Sequence, residues 1–134
     1  MQKILFGFIA ALFLLSSCRT SVTPVEDPES PVGKWALTEV FISPGAGGSW
    51  NAVESSVEME FFKNGRFKAN SNLCNLSLVA DENTKGTYDT ETFELTTNRC
   101  PDDYQLRYQL DEVGNLLIYY PCIEPCIHKF VRIE

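Results

Sequence analysis

Residues 57–69 read Val-Glu-Met-Glu-Phe-Phe-Lys-Asn-Gly-Arg-Phe-Lys-Ala, two alternating runs joined through Asn64-Gly65. Asn-Gly between such runs is the strongest short-range signal for a β-hairpin, because both residues accept the positive φ of a turn whose twist matches the strands. Val57, Met59 and Phe61 share one face of the first run, and Phe67 and Ala69 continue it on the return. Glu58, Glu60, Arg66 and Lys68 then point outward to solvent. A chain committed to this hairpin must bury one face of a sheet, and the sequence beyond it keeps the same two-residue period.

Residues 35–42 are rich in β-formers, but their apolar phase shifts from Trp35 and Leu37 to Val40 and Ile42. A β-bulge near Thr38-Glu39 produces such a shift. Residues 43–49 hold Pro44, Gly45, Gly47 and Gly48 and read as a long flexible loop. Leu76 and Leu78 start another short run that turns over residues 81–85. Gly86-Thr87-Tyr88, a turn at 89–91, and Phe93 with Leu95 form a further hairpin. Tyr104, Leu106, Tyr108 and Leu110 alternate with polar residues, and 111–115 turns that strand into 116–120. A loop at 121–125 leads into a last strand over 127–133. No stretch after residue 31 keeps a helical period. About eight strands joined by short turns predict an all-β, antiparallel, up-and-down barrel. Closure into a barrel also removes the exposed edges of an open sheet.

The N-terminus has a different character. Lys3 precedes an apolar run over residues 4–15, twelve residues, whereas a membrane-spanning helix needs about 20. That run reads as the core of a secretory signal. It ends in Leu15-Ser16-Ser17-Cys18, which resembles the lipobox of bacterial lipoproteins. The resemblance implies cleavage before Cys18, a lipid on its sulfur and an anchor in a membrane of the bacterial envelope. Arg19 lacks the acidic side chain that retains some lipoproteins in the inner membrane, which points to the outer one. The implied organisation is a signal peptide at 1–17, the lipidated Cys18 with a proline-rich, disordered tether at 18–31, and a barrel domain at 32–134.

Removing 17 of 134 residues takes away Lys3 and leaves 10 basic and 18 acidic side chains, a formal charge of 10 − 18 = −8. Such a chain is repelled by nucleic acid and by anionic headgroups, so nucleic-acid binding is not expected. Besides Cys18 there are Cys74, Cys100, Cys122 and Cys126. An exported chain meets an oxidising compartment, so four cysteines in about 100 residues read as two disulfides. Pairing sequence neighbours gives Cys74 with Cys100 and Cys122 with Cys126; a crossed pairing is also allowed. A four-cysteine zinc site would want paired short spacings, and these are missing around Cys74 and Cys100. Neither a metal nor a cofactor is expected.

Gly33-Lys34-Trp35 opens the first strand and Arg132 lies near the end of the last. Together they resemble the lipocalin pattern, Gly-x-Trp at the barrel entrance with a basic side chain stacked on the indole. Asn64-Gly65, Cys74-Asn75, Gly86-Thr87-Tyr88 and Thr96-Thr97 leading to Cys100-Pro101 resemble the META-domain lipoproteins of bacterial envelopes. Leu73 stands where those have a Gly before the Cys. The resemblances imply a small lipocalin-like barrel with structural roles for Gly33, Trp35 and Arg132.

Chemistry is sparse. His128 is the only histidine, it has no free thiol partner if the four cysteines are bonded, and no serine lies in a nucleophile elbow. Glu58 and Glu60 fall on the solvated face, and the acidic pairs at 81–82 and 102–103 fall in turns, without calcium-loop spacing. An enzyme is not expected. The expected function is that of a membrane-anchored lipoprotein whose barrel binds a small hydrophobic ligand, with Tyr88, Tyr104 and Tyr108 orienting it. The alternative is a filled barrel acting as a protein-interaction module through the loop at 43–49 or the tip at 121–125.

Overall fold

The structure, a computed structural model, describes residues 29–45 and 47–134. The expectations for the signal peptide, for Cys18 and for most of the tether lie outside those residues. Among the described residues nine strands follow in order: β1 Gly33–Ile42, β2 Ser49–Ala52, β3 Glu58–Phe61, β4 Arg66–Ala69, β5 Thr84–Tyr88, β6 Glu94–Thr97, β7 Leu106–Leu110, β8 Leu116–Tyr120 and β9 Cys126–Arg132. From β3 to β9 each strand pairs antiparallel with the next, and β9 returns to β1. The result is a closed eight-stranded barrel with β2 outside it.

β1 makes this possible by serving three partners. Along one edge it pairs with β9; along the other, Gly33–Ala36 pairs with β3 and Glu39–Ile42 with β2. The register against β9 slips between Leu37 and Glu39, the bulge that the apolar phase shift predicts. It keeps Trp35, Leu37 and Val40 all buried although they do not share one parity.

The Asn64-Gly65 hairpin joins β3 to β4, pairing Phe61 with Phe67 and Met59 with Ala69, all buried. Trp35, Phe61, Phe67, Phe130, Leu106, Leu116 and Ile118 are at most 2 % exposed and belong to one contiguous core. Each contributes about 1.5–3 kcal/mol through burial of its apolar surface. β5 approaches β6 closely at Gly86, where a Cβ would run into the Thr96 carbonyl oxygen.

Three local expectations are corrected. The run at Leu76 and Leu78 forms no strand; residues 70–83 are a loop. Polar side chains satisfy its backbone instead: Asp81 accepts from Asn72 N–H at 2.7 Å, and from the segment before β3 Ser55 donates to the Leu78 carbonyl at 2.7 Å and Ser56 accepts from Ala80 N–H at 3.0 Å. Such bonds compete with a sheet ladder. Tyr104 precedes β7 in a turn whose N–H donates to the Pro101 carbonyl at 2.8 Å. And β2 begins at Ser49, the last residue of the stretch read as flexible loop.

The topology gives the barrel two unlike ends. Short hairpins at 62–65, 89–93 and 111–115 lie at one, with the start of β1 and the end of β9. Long connections lie at the other, together with both disulfides, Cys74–Cys100 and Cys122–Cys126, paired as sequence neighbours.

Candidate functional site

At the hairpin end the barrel is plugged. Trp35 is wholly buried, and its indole N–H donates to the Pro31 carbonyl at 2.8 Å. The Arg132 guanidinium lies 4.3 Å from the Trp35 ring centroid and donates to the carbonyls of Val32 and Ser30. Gly33 has φ +135°, and a Cβ there would strike the Arg132 guanidinium and the Glu134 carbonyl. Glycine is therefore required twice over, by backbone and by space. Gly33, Trp35 and Arg132 thus meet in one structural plug that also fixes residues 30–32.

Tyr88 and Tyr108 meet just inside, their rings 6.0 Å apart and edge-on, each also packed against Phe61. Their hydroxyls donate to backbone carbonyls, Tyr88 to Phe62 at 2.7 Å and Tyr108 to Asp89 at 3.2 Å. Burial raises the Tyr88 phenol above its usual range, and burial with Tyr88 and Asp89 nearby pushes Tyr108 up to about 12. Both are neutral donors already spent on the fold. Tyr104, raised by burial as well, precedes β7 at the opposite end. The three tyrosines expected to line one ligand site therefore do not converge.

His128 points into the barrel, opposite Val40 and Ile118, and is 4 % exposed. Its Nδ1 is 3.2 Å from the Tyr120 hydroxyl, and the rings pack at 4.7 Å. Burial pushes the imidazole down to about 4, so it is neutral at neutral pH, and Nδ1 and the Tyr120 hydroxyl share a hydrogen bond whose direction follows the ring's tautomer. Every cysteine among the described residues is in a disulfide. Among the described residues, no group of three or more His, Cys, Asp or Glu is placed to hold a metal ion.

The disulfide end carries one exposed feature. The Cys122–Cys126 bridge closes the tip at 121–125, on which Ile123 stands fully exposed. The Glu124 carboxylate accepts the Gly45 N–H at 2.6 Å, so the tip and the loop after β1 are held side by side. Beside them on the outer wall Phe41 and Trp50 pack edge-on at 5.4 Å. Lys129 lies 4.0 Å over the Trp50 ring and 2.5 Å from Glu39. Ile42 is 56 % and Trp50 36 % exposed. Composition gave little warning of this cluster, because Trp50 sits in a four-residue strand between glycine-rich loop and polar turn.

A second feature lies outside the hairpin end, a cleft of about 940 Å³ lined by Pro31, Phe93, Tyr108, Leu110 and Val113, with Asp111 and Glu112 at its rim. Phe93 holds φ +58° and is 49 % exposed. A bulky residue in that conformation is strained. Sequence reasoning placed Phe93 within a hairpin strand; β6 starts one residue later.

No family model matches the chain, and no curated protein and no solved structure matches it.

Proposed function

We propose that the chain is a lipid-anchored lipoprotein of the bacterial envelope, attached through Cys18 to the outer membrane, whose barrel is a non-catalytic protein-interaction module. The Leu-Ser-Ser-Cys motif after a short apolar run supports the anchor. Two disulfides in a single small domain fit an oxidising compartment.

One observation carries the choice of module over carrier. The barrel's interior is occupied by its own side chains, Trp35, Phe61, Phe67, Tyr108 and Phe130 among them, while Ile42, Trp50 and Ile123 stand exposed at the disulfide end beside two tied loops. A rigid tip that presents an isoleucine beside an aromatic pair is a surface for a protein. A photocrosslinking amino acid at Ile123, in the intact chain in its own envelope, yields one discrete protein adduct. The same group at Lys63, on the hairpin end, does not. Equal labelling from both positions, or none from Ile123, removes the proposal.

The cleft beside Phe93 favours a second reading, a small hydrophobic ligand bound outside the barrel. The half-exposed, strained Phe93 and the exposed Val113 would form its wall, with the side of Tyr108 as floor. An apolar fluorescent probe then binds saturably, and Phe93→Ala abolishes the signal. Absence of saturable binding by the wild-type chain refutes this reading.

A further inference from the structure

A closed barrel has no strand edges, yet this chain adds one. β2 pairs with β1 on one side, and among the described residues nothing pairs with its other side. The phase of the ladder decides which groups that edge offers. Val53 N–H donates to the Thr38 carbonyl at 3.0 Å, and the register sets Asn51 against Val40 and Ser49 against Ile42. In an antiparallel ladder hydrogen-bonded pairs alternate with non-bonded ones. Val53, Asn51 and Ser49 therefore turn their backbone groups toward β1, and Trp50 and Ala52 turn theirs to the open side.

The side chains on this edge continue a row. Tyr119 pairs with Ile127, Ile127 with Phe41, and Phe41 with Trp50, all on the outer wall. A strand added beyond β2 places its residue opposite Trp50 at the end of that apolar row. The electrostatics select its charge. Lys129 is already engaged by Glu39 and Trp50, Glu54 is exposed just past β2, and the whole chain carries a formal −7.

We infer that the outer edge of β2 takes an extended, basic peptide segment of a partner protein as an additional antiparallel strand, with an apolar side chain beside Trp50 and a Lys or Arg near Glu54. Main-chain bonds supply the affinity and the alternating side chains the specificity. A second copy is a poorer occupant, because the edge has only four residues and both chains carry a net negative charge. This inference rests on the interaction-module reading and names its mode of contact.

The test uses the ¹⁵N-labelled lipidated mature chain in neutral detergent micelles. The probe is a capped peptide alternating valine or tryptophan with threonine, with lysine at both ends. Binding shifts the Trp50 and Ala52 amide protons downfield and slows their exchange by about tenfold at partial saturation, with little change at Asn51. Proline at position 52 removes one open-edge donor and leaves the β1 ladder, since an edge strand tolerates proline there, so Ala52→Pro loses the binding. A probe N-methylated on the groups facing β2, or ended in glutamate, does not bind the wild-type chain either. Shifts outside β2, equal binding by the N-methylated probe, or Trp50 and Ala52 amides already protected without peptide by a second copy or by the chain's own N-terminal segment overturn the inference. An Ile123 crosslink undiminished in a folded Ala52→Pro chain overturns the edge and leaves the module standing; loss of the crosslink in the wild-type chain overturns the module itself.

Discussion

Protonating His128 inside the barrel should be the main source of acid sensitivity near neutrality. The imidazole faces Val40, Ile118 and the Tyr120 hydroxyl, with Phe130 6.5 Å away, and no carboxylate among its hydrogen-bond partners offsets a charge. Burial lowers its pKa from 6.5 to about 4. Between those values the unfolded chain binds a proton that the folded chain refuses, so stability falls as pH drops through 6.5 and levels off below 4. From about pH 7 to about pH 4.5 the loss integrates to about 2 kcal/mol. Asp81, Asp89 and Asp111 are held low by backbone N–H groups they accept from, and so lose stabilisation only in more acidic solution. Urea unfolding at the two pH values measures the loss, with His128→Phe as reference because it keeps the aspartates. The absolute stability of that variant also reflects an orphaned Tyr120 hydroxyl, so the pH difference, not the midpoint, is compared. Equal pH differences in the two chains refute the reasoning.

The two disulfides should differ in worth. Removing Cys74–Cys100, with a sequence separation of 26, costs about 3.5 kcal/mol by loop-closure entropy, against about 1.9 kcal/mol for Cys122–Cys126 with a separation of 4, as measured by denaturant unfolding of each double serine variant. Arg132→Ala loses the stacking on Trp35 and the bonds to residues 30 and 32, about 1–3 kcal/mol, and Arg132→Lys recovers little because it lacks the planar fork; thermal unfolding of the pair checks this. Cys18→Ala moves the chain from the membrane to the soluble fraction, and retention of that variant on membranes contradicts a lipid anchor.

Most of the barrel was legible because its period is two. Val57, Met59, Phe61, Phe67 and Ala69 face inward as alternation demands, and even the bulge after Leu37 showed as a phase shift. What alternation does not encode is where connections go. β2 has four exposed residues and no apolar period of its own, so its strand state comes from pairing with β1, a long-range fact. Likewise Tyr88, Tyr104 and Tyr108 look equivalent along the chain. Strand direction puts the first and third at one end and the second at the other, and backbone carbonyls take up both hydroxyls at the shared end. Whether a small barrel is hollow depends on the summed volume of facing side chains. Here rings from β1, β3, β4, β7 and β9 fill it together, which no single motif announces.

The filled interior is the claim on which the function turns, and native mass spectrometry of the mature chain extracted from its own host tests it most directly. The expected mass is that of polypeptide plus covalent lipid, less four hydrogens for the two disulfides, the same before and after denaturation. An additional mass on the order of hundreds of daltons that leaves on denaturation, and that the Phe93→Ala chain still carries, would contradict it and make the barrel a carrier.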